Sequence, residues 1–305
     1  MKQISRMIFV LQIGNVQNHA PKTDNKKNNG VKIKIMKTEV FYLNPDNEDV
    51  TLTTYISYDP PEIKMPKRPA MLIFPGGGYS HCSNREAEPI AKAYMAHGYN
   101  TFILRYSLDE KSLFPQPLIE ASLAMKHIRD NADEYNIDPN KVYVIGFSAG
   151  GHLAGCLATM WHERYLYDAI DMPYGINKPN GAILSYAVLS PEAGPKMLYN
   201  RIFNKREPLT DEEHEKYSAV AHVDERTSPI FMWHTMNDKI VPVQNVICMS
   251  EKLTEQNIPF ELHIYPDGVH GLALATVETC AGNESLIQLN VSKWFDASIE
   301  WLANL

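Results

Sequence analysis

Residues 142–151, Val-Tyr-Val-Ile-Gly-Phe-Ser-Ala-Gly-Gly, constrain the fold of this chain more than any other stretch. The apolar run 142–145 predicts a buried strand, and the composition of 152–161 predicts a helix. Between them, residues 146–150 fit the pattern Gly-x-Ser-x-Gly. A serine on a sharp turn from strand to helix exposes its hydroxyl above the sheet, and small flanking glycines let the two elements approach closely. The stretch therefore predicts a nucleophilic Ser148, the alternative being a glycine-rich turn without a chemical role.

Predicted strands and helices alternate through most of the chain. The spacing of apolar residues predicts strands at 38–43, 50–58, 70–74, 101–106, 142–145, 182–189, 229–234 and 260–265, and helices at 85–97, 118–136, 152–161, 242–257 and 286–304. Such alternation predicts an α/β fold with a mostly parallel central sheet and helices on both of its faces. A length of 305 residues suits one large domain of this kind.

The first 35 residues differ in composition from the rest. They carry seven basic residues and one acidic residue, and asparagine is dense from 15 to 29. Such a segment has little apolar surface to bury, so we expect a disordered extension over 1–35 and a single folded domain over 36–305. Two alternatives remain open for the extension: a degenerate secretion signal around the apolar run 7–13, and a translation start at Met36.

Residues 191–228 form a second compositional exception. This segment is polar, contains proline and has an acidic cluster at 211–215. It follows the predicted strand 182–189, at the edge of the sheet where ligands of such folds bind. We therefore expect a cap or lid there.

Overall composition excludes several classes of protein. The formal net charge is −7, which argues against nucleic acid as a partner because phosphate binding needs a basic face. The longest apolar runs are too short to span a membrane. The four cysteines show no Cys-x-x-Cys spacing, so zinc and thioredoxin-like sites have no support: Cys82, Cys156, Cys248 and Cys280.

A serine nucleophile needs a base beside it and a carboxylate that orients the base. One known order along an α/β chain is serine, then an acid, then histidine, with the last two on loops after later strands. Asp238 follows the predicted strand 229–234, and His270 follows 260–265. All three residues then lie at the carboxyl edge of the sheet, where ligands of open α/β sheets bind.

Other residues compete for these two roles. Asp267 lies only three positions before His270 and is expected to shape its loop, so Asp238 is favoured as the acid. His234 lies inside a predicted strand and is expected to be a core side chain. His152 and His81 do not follow a strand after the acid, so neither is favoured as the base.

The glycine run Pro75-Gly76-Gly77-Gly78-Tyr79 follows the predicted strand 70–74. An oxyanion needs at least two backbone N–H donors directed at one point, and glycines let the backbone approach a substrate. The expected donors are the amides of Gly77, Gly78 and Tyr79, with that of Ala149 after the nucleophile. The adjoining residues are expected to contact the substrate: Tyr79, His81, Cys82 and Ser83. Phosphate binding is disfavoured because neither Gly-Lys-Ser/Thr nor Gly-x-Gly-x-x-Gly occurs here.

With these motifs the sequence resembles the α/β-hydrolase-fold esterases and lipases, in particular the bacterial branch of acetyl-xylan and feruloyl esterases. The resemblance covers about residues 40–302 and rests on the Asp238 and His270 loops and on the stretches 75–79, 82–91, 98–107 and 146–154. It implies Ser148 as nucleophile, His270 as base and Asp238 as the orienting acid, without a metal or an organic cofactor. Residues 186–191, which help to shape the acyl pocket, depart from the usual Tyr-Pro-Val-Ile pattern and leave the acyl preference in doubt.

The sequence therefore predicts a cytoplasmic serine esterase that removes short acyl groups, acetyl foremost, from sugar or oligosaccharide esters. Three alternatives stay open: a feruloyl esterase, a serine peptidase of the prolyl-oligopeptidase kind, and an inactive binding module on the same scaffold. Nucleic acid and membrane are not expected as partners. Assembly into a homo-oligomer is left open.

Overall fold

The computed structural model describes residues 6–7, 36–60, 62–191, 193 and 210–305. Apart from Arg6–Met7, the predicted extension 1–35 lies outside these residues, as does part of the predicted cap, 192 and 194–209. Both predictions remain predictions. None of the helices in the described ranges is long and apolar enough to cross a bilayer.

The described residues form one sheet of nine strands. The strands are β1 (Arg6–Met7), β2 (Lys37–Tyr42), β3 (Thr51–Ile56), β4 (Arg68–Phe74), β5 (Asn100–Arg105), β6 (Ile137–Phe147), β7 (Ala182–Ser185), β8 (Ile230–Thr235) and β9 (Phe260–Tyr265). Their order across the sheet is β1-β2-β3-β5-β4-β6-β7-β8-β9. The six strands β4 to β9 run parallel to one another, while β1, β2 and β3 add an antiparallel edge. The predicted mostly parallel sheet is confirmed.

Helices follow most of the parallel strands. They are α1 (Glu88–Ala96), α2 (Gln116–Asp130), α3 (Ala149–Met160), α4 (Arg164–Ala169), α5 (Asp211–Lys216), α6 (Gln244–Glu255) and α7 (Trp294–Ala303). A parallel strand needs such a crossover, because its partner must start again at the same end of the sheet.

Alternate residues of the central strands enter two separate cores. Along β6, Val142 and Val144 join a cluster with residues of α2, α3 and α6, whereas Tyr143 and Ile145 join one with residues of α1 and α7. Successive side chains of a strand point to opposite faces, so a strand that is apolar throughout is buried on both. The predicted helix layers on both faces are confirmed.

Several predicted boundaries differ from the structure, three of them by four residues or more for a visible reason. The strand predicted at 182–189 ends at Ser185, because Tyr186 turns with a φ of 38°. The closing helix predicted at 286–304 begins at Trp294, after two short 3₁₀ turns. The helix predicted to reach residue 136 ends at Asp130, where the next backbone amide bonds back to the carbonyls of Arg129 and His127.

Two short helices among the described residues were not predicted. α5 begins at a capping box in which Thr210 and Glu213 each accept a hydrogen bond from the other's backbone N–H. The pattern Thr-x-x-Glu is a readable signal for a helix start, and here it falls inside the polar segment predicted as a cap. α4 begins without a side-chain cap, so no comparable signal marks it.

Candidate active site

Ser148 occupies the turn between β6 and α3. Its φ of 52° and ψ of −115° lie outside the regions that ordinary residues prefer. Its backbone N–H donates to the carbonyl of Ser185 on β7 at 3.0 Å, which holds the turn against the sheet. Such strain persists only where the surroundings enforce it, and it is typical of functional positions.

The glycines around Ser148 are required by close backbone contacts. A Cβ atom at Gly146 would lie 2.0 Å from the carbonyl oxygen of Gly150, and one at Gly150 would lie 2.1 Å from that of Phe74. Neither position tolerates a side chain without movement of the backbone. The predicted strand, tight turn and helix are therefore present around the serine.

His270 and Asp238 come to Ser148 from loops after two neighbouring strands, β9 and β8. Nε2 of His270 lies 2.8 Å from Oγ of Ser148, and Nδ1 lies 2.7 Å from Oδ2 of Asp238. The other oxygen of Asp238 accepts hydrogen bonds from the backbone amides of Ile240 and Val241, at 2.8 and 3.0 Å. Three residues separated by up to 122 positions thus form one hydrogen-bonded line.

The surroundings of Asp238 keep its carboxyl group ionised. Burial by itself raises the pKa, but hydrogen bonds from His270 and from the amides of Val241 and Ile240 outweigh it, so the pKa lies below its ordinary value. An ionised carboxylate accepts the Nδ1–H of His270. The lone pair of Nε2 then faces the hydroxyl of Ser148, the tautomer that a general base needs.

The competing residues have other partners. Asp267 is exposed, and its carboxylate accepts a hydrogen bond from the side-chain amide of Asn237 at 3.3 Å. His234 is fully buried and donates through Nε2 to the carbonyl of Val241 at 2.8 Å, so it is a core side chain as predicted. The geometry thus places Asp238, and not Asp267, against His270.

The glycine loop lies directly beside the nucleophile. A Cβ atom at Gly76 would be 3.1 Å from Cβ of Ser148. The following Gly77 and Gly78 are partly exposed and have φ values of 134° and 62°. Ala149 begins α3, whose N-terminus favours negative charge. The predicted oxyanion donors therefore belong to two segments that both adjoin Ser148, and their role remains a prediction.

The side chain of Tyr79 does not line the site, contrary to its predicted contact with substrate. Tyr79 is fully buried, and its hydroxyl donates to Nδ1 of His152 at 2.8 Å. The ring packs edge-on against Tyr106 and Phe114, with centroids 5.4 and 5.8 Å away. An aromatic ring gains more from these contacts than from exposure, so the loop turns it inward.

The other three predicted substrate contacts form the turn after the glycines. His81 is exposed, and Nδ1 of its ring lies 3.2 Å from Oγ of Ser80. Cys82 packs against the larger core, where burial raises the pKa of its thiol to about 11. The amide of Ser83 donates to the carbonyl of Gly76 at 2.9 Å and closes the turn. Their contact with substrate remains a prediction.

Sequence reasoning missed two groups of residues at this site. Buried Glu86 and Tyr186 contact the glycine loop and the ring of His270, respectively. Met236, Ile240 and Val269 are 50–60% exposed on the loops that carry Asp238 and His270. Position beside a predicted catalytic residue was the only signal for the exposed three. Glu86 lies in the stretch 82–91 and Tyr186 in 186–191, both of which the family resemblance singled out without assigning either side chain a role.

No three histidine, cysteine, aspartate or glutamate side chains converge as a metal site would require, within the residues that the structure describes. What the site offers is a hydroxyl, an imidazole with a free lone pair, an ionised carboxylate and adjacent backbone amides. These groups suffice for acyl transfer through a serine.

Known proteins are similar to this chain in sequence and in fold. Residues 57–253 match the family BD-FAE, and residues 212–299 match the dienelactone hydrolase family. An α/β hydrolase from a Medee basin deep-sea metagenome library is 39% identical, with a TM-score of 0.73 over 89% of this chain and 98% of that one. An acetyl ester-xyloside bifunctional hydrolase from Caldicellulosiruptor lactoaceticus is 29% identical, with a TM-score of 0.74 over 88% and 97%.

Two curated relatives are longer proteins. Endo-1,4-beta-xylanase B of Butyrivibrio fibrisolvens is 38% identical over 220 residues, which are 71% of this chain and 34% of that protein. Acetylxylan esterase of Xylanibacter ruminicola is 30% identical over 225 residues, 70% of this chain and 43% of that protein. The chain thus spans less than half the length of either.

The fold and the solved relatives together define the class as the α/β hydrolases. Within that class, the chain belongs to the BD-FAE family.

Proposed function

We propose that this protein is an esterase that removes short acyl groups, acetyl foremost, from sugars or oligosaccharides. The observation that carries the proposal is the line from Ser148 through His270 to Asp238, with contacts of 2.8 and 2.7 Å. The acetylxylan esterase and the acetyl ester-xyloside hydrolase among its relatives support a carbohydrate ester as substrate.

In the first half-reaction, Oγ of Ser148 attacks the ester carbonyl carbon while Nε2 of His270 takes the hydroxyl proton. Asp238 stabilises the imidazolium that forms. The negative oxygen of the tetrahedral intermediate is held by the amide of Ala149 and by amides of Gly77–Tyr79. When the intermediate collapses, His270 returns the proton to the leaving sugar oxygen, and the acyl group stays on Ser148.

In the second half-reaction, water attacks the acyl-enzyme. His270 takes a proton from the water, and the same amides hold the second oxyanion. The proton then passes to Oγ of Ser148 as the carboxylic acid leaves, which restores the starting state. The cycle consumes one ester and one water and yields one alcohol and one acid.

The segment after β7 supports a small acyl group. Tyr186, Ala187, Val188, Leu189 and Ser190 are all at most 5% exposed. Buried Asn245 fixes the segment, because its side-chain oxygen accepts hydrogen bonds from the amides of Leu189 and Ser190 at 2.8 and 3.1 Å. A buried and pinned segment leaves little freedom to open a deep slot beside the nucleophile.

The test is a comparison of kcat/KM for p-nitrophenyl acetate, butyrate and octanoate, for methyl ferulate and for acetylated xylo-oligosaccharides. We expect acetyl esters to be the best substrates and the value to fall with acyl length, since added methylenes clash. A preference for octanoate would contradict the short-acyl proposal, and a preference for ferulate would move the function to the feruloyl esterases.

The remaining alternatives have their own outcomes. An inactive binding module would not react with a fluorophosphonate probe, whereas the proposed enzyme is labelled at Ser148. A peptidase would cleave proline-containing peptide anilides faster than acetyl esters. The Ser148→Ala variant is the control in both measurements: it should be neither labelled by the probe nor active on the substrates.

A further inference from the structure

Glu86 is a buried carboxylate that joins two loops of the active site. It lies in the 3₁₀ turn Asn84–Glu86, between the glycine loop and α1, and is 4% exposed. Its Oε2 accepts the backbone N–H of Gly76 at 2.9 Å, and its Oε1 accepts the hydroxyl of Tyr186 at 2.5 Å. Both carboxyl oxygens of Glu86 are thus in use, one for each loop.

The first of these bonds fixes the start of the glycine loop. Gly76 stands so close to the nucleophile that a Cβ atom there would lie 3.1 Å from Cβ of Ser148 and 2.6 Å from the carbonyl oxygen of Phe147. Because the backbone N–H of Gly76 donates to Glu86, it is already in use and is not one of the proposed oxyanion donors. The bond also sets the position from which Gly77 and Gly78 continue past Ser148.

The second bond reaches the histidine. The ring of Tyr186 packs edge-on against that of His270, with centroids 5.0 Å apart and an interplanar angle of 70°. The hydroxyl of Tyr186 also accepts the backbone N–H of Ala273 at 3.1 Å. Tyr186 therefore contacts the His270 loop at two points, the catalytic ring and a residue three positions later.

The backbone of Tyr186 is strained. Its φ of 38° is unusual for a bulky residue, which ordinarily avoids positive values. Strain at such a position persists when the surroundings over-determine the conformation. Here the hydrogen bond to Glu86 and the packing of the ring hold the residue in place. Burial, followed by the nearby Glu86, raises the pKa of Tyr186 well above its ordinary value, so its hydroxyl remains a donor.

We propose that Glu86 is a positioning residue which, through Gly76 and Tyr186, sets the distance between the oxyanion donors and His270. The inference rests on the proposed function, since it assumes catalysis by Ser148 and His270. Its two bonds end in segments separated by about 110 positions along the chain. A single carboxylate thereby fixes the positions of the base and of the oxyanion donors on either side of the nucleophile.

The variants Glu86→Gln and Tyr186→Phe, singly and combined, test the proposal. A glutamine retains only one acceptor oxygen, so it cannot accept hydrogen bonds from both Gly76 and Tyr186. We expect kcat for p-nitrophenyl acetate to fall about 10²-fold in Glu86→Gln with KM within about twofold, because misplaced catalytic groups slow chemistry more than binding. The double variant should be no slower than the slower single variant, since both break one linkage.

Glu88→Gln is the matched control. It removes the same charge two positions away, where the carboxylate is partly exposed and pairs with Arg105 at 3.5 Å. Its kcat should stay within about twofold of the native value. Titration of active sites with a fluorophosphonate corrects each kcat for the fraction of folded enzyme, so a loss of folding is not read as a loss of positioning.

A kcat for Glu86→Gln within about twofold of the native value would overturn the proposal, as would fully additive losses in the double variant. If Glu86→Gln does not fold, the Tyr186→Phe variant alone tests the proposal. A native kcat per titrated active site in that variant would then contradict the proposed role of Glu86 and Tyr186. The proposed function fails separately, because only in that case does Ser148→Ala retain the native rate.

Discussion

The hydroxyl of Tyr79 donates a hydrogen bond of 2.8 Å to Nδ1 of His152, and both side chains are fully buried. Tyr79 ends the glycine run, and His152 lies in the first turn of α3, four positions after Ser148. Nε2 of His152 donates to the carbonyl of Tyr217 at 2.8 Å. The neutral imidazole thus has one acceptor and one donor in use, and it ties the glycine loop to the helix that carries the nucleophile.

This arrangement predicts a pH dependence of stability. Burial lowers the pKa of His152 from 6.5 to about 4. Between pH 6.5 and about pH 4, His152 takes up a proton in the unfolded chain but not in the native protein. The free energy of unfolding therefore decreases as the pH falls through this range. The contribution is on the order of 3 kcal/mol.

The measurement is Tm between pH 7 and pH 4 for the native protein and for His152→Gln, with exposed His81→Gln as control. We expect His152→Gln to lower Tm at pH 7 and to flatten its decline toward pH 4, while His81→Gln changes neither. Other buried histidines contribute to the native decline, so the difference between variants is the relevant quantity. An unchanged decline in His152→Gln would contradict the assignment.

Ser148→Ala should lower kcat by several orders of magnitude, because the covalent route is lost. The substitution removes one hydroxyl and leaves the turn in place, so Tm should change by at most a few degrees. Steady-state hydrolysis of p-nitrophenyl acetate and a thermal melt check both statements. Near-native turnover would refute Ser148 as the nucleophile.

Asp238→Asn should reduce kcat by about 10³-fold or more with little change in KM. Asparagine retains the shape of the side chain but no longer favours the required tautomer of His270 or stabilises its charged form. Asp267→Asn is the control, because Asp267 is exposed and pairs only with Asn237 in the described hydrogen bonds. Greater damage from Asp267→Asn would reverse the assignment of the acid.

Gly146→Ala should destabilise the fold by about 3 kcal/mol or more, since its Cβ would lie 2.0 Å from a backbone carbonyl oxygen. The Gly282→Ala variant is the control that measures the cost of backbone strain without a steric contact. Gly282 has a φ of 80° but nothing within 4 Å of the added Cβ, so we expect a cost of about 1–2 kcal/mol. Equal losses in urea unfolding of the two variants would show that contact at the elbow is not the cause.

The sequence by itself determined the mostly parallel sheet, the elbow around Ser148 and the strand-end positions of Asp238 and His270. These follow from local patterns: apolar runs, glycines at a tight turn, and the order of strands along the chain. In a parallel sheet, residues just after strands meet at one edge, so sequence order alone predicts their proximity. The structure then supplied the distances.

Only the tertiary structure decided the direction of Tyr79 and the partners of Glu86. Tyr79 was expected to face substrate, yet its hydroxyl bonds a residue 73 positions away, and the contact between Glu86 and Tyr186 spans 100 positions. The end of the strand at Ser185 and the start of the closing helix at Trp294 likewise became known only from the structure. A side chain's direction depends on which distant atoms offer it a partner or a packed surface, and no pattern of neighbouring residues contains that information.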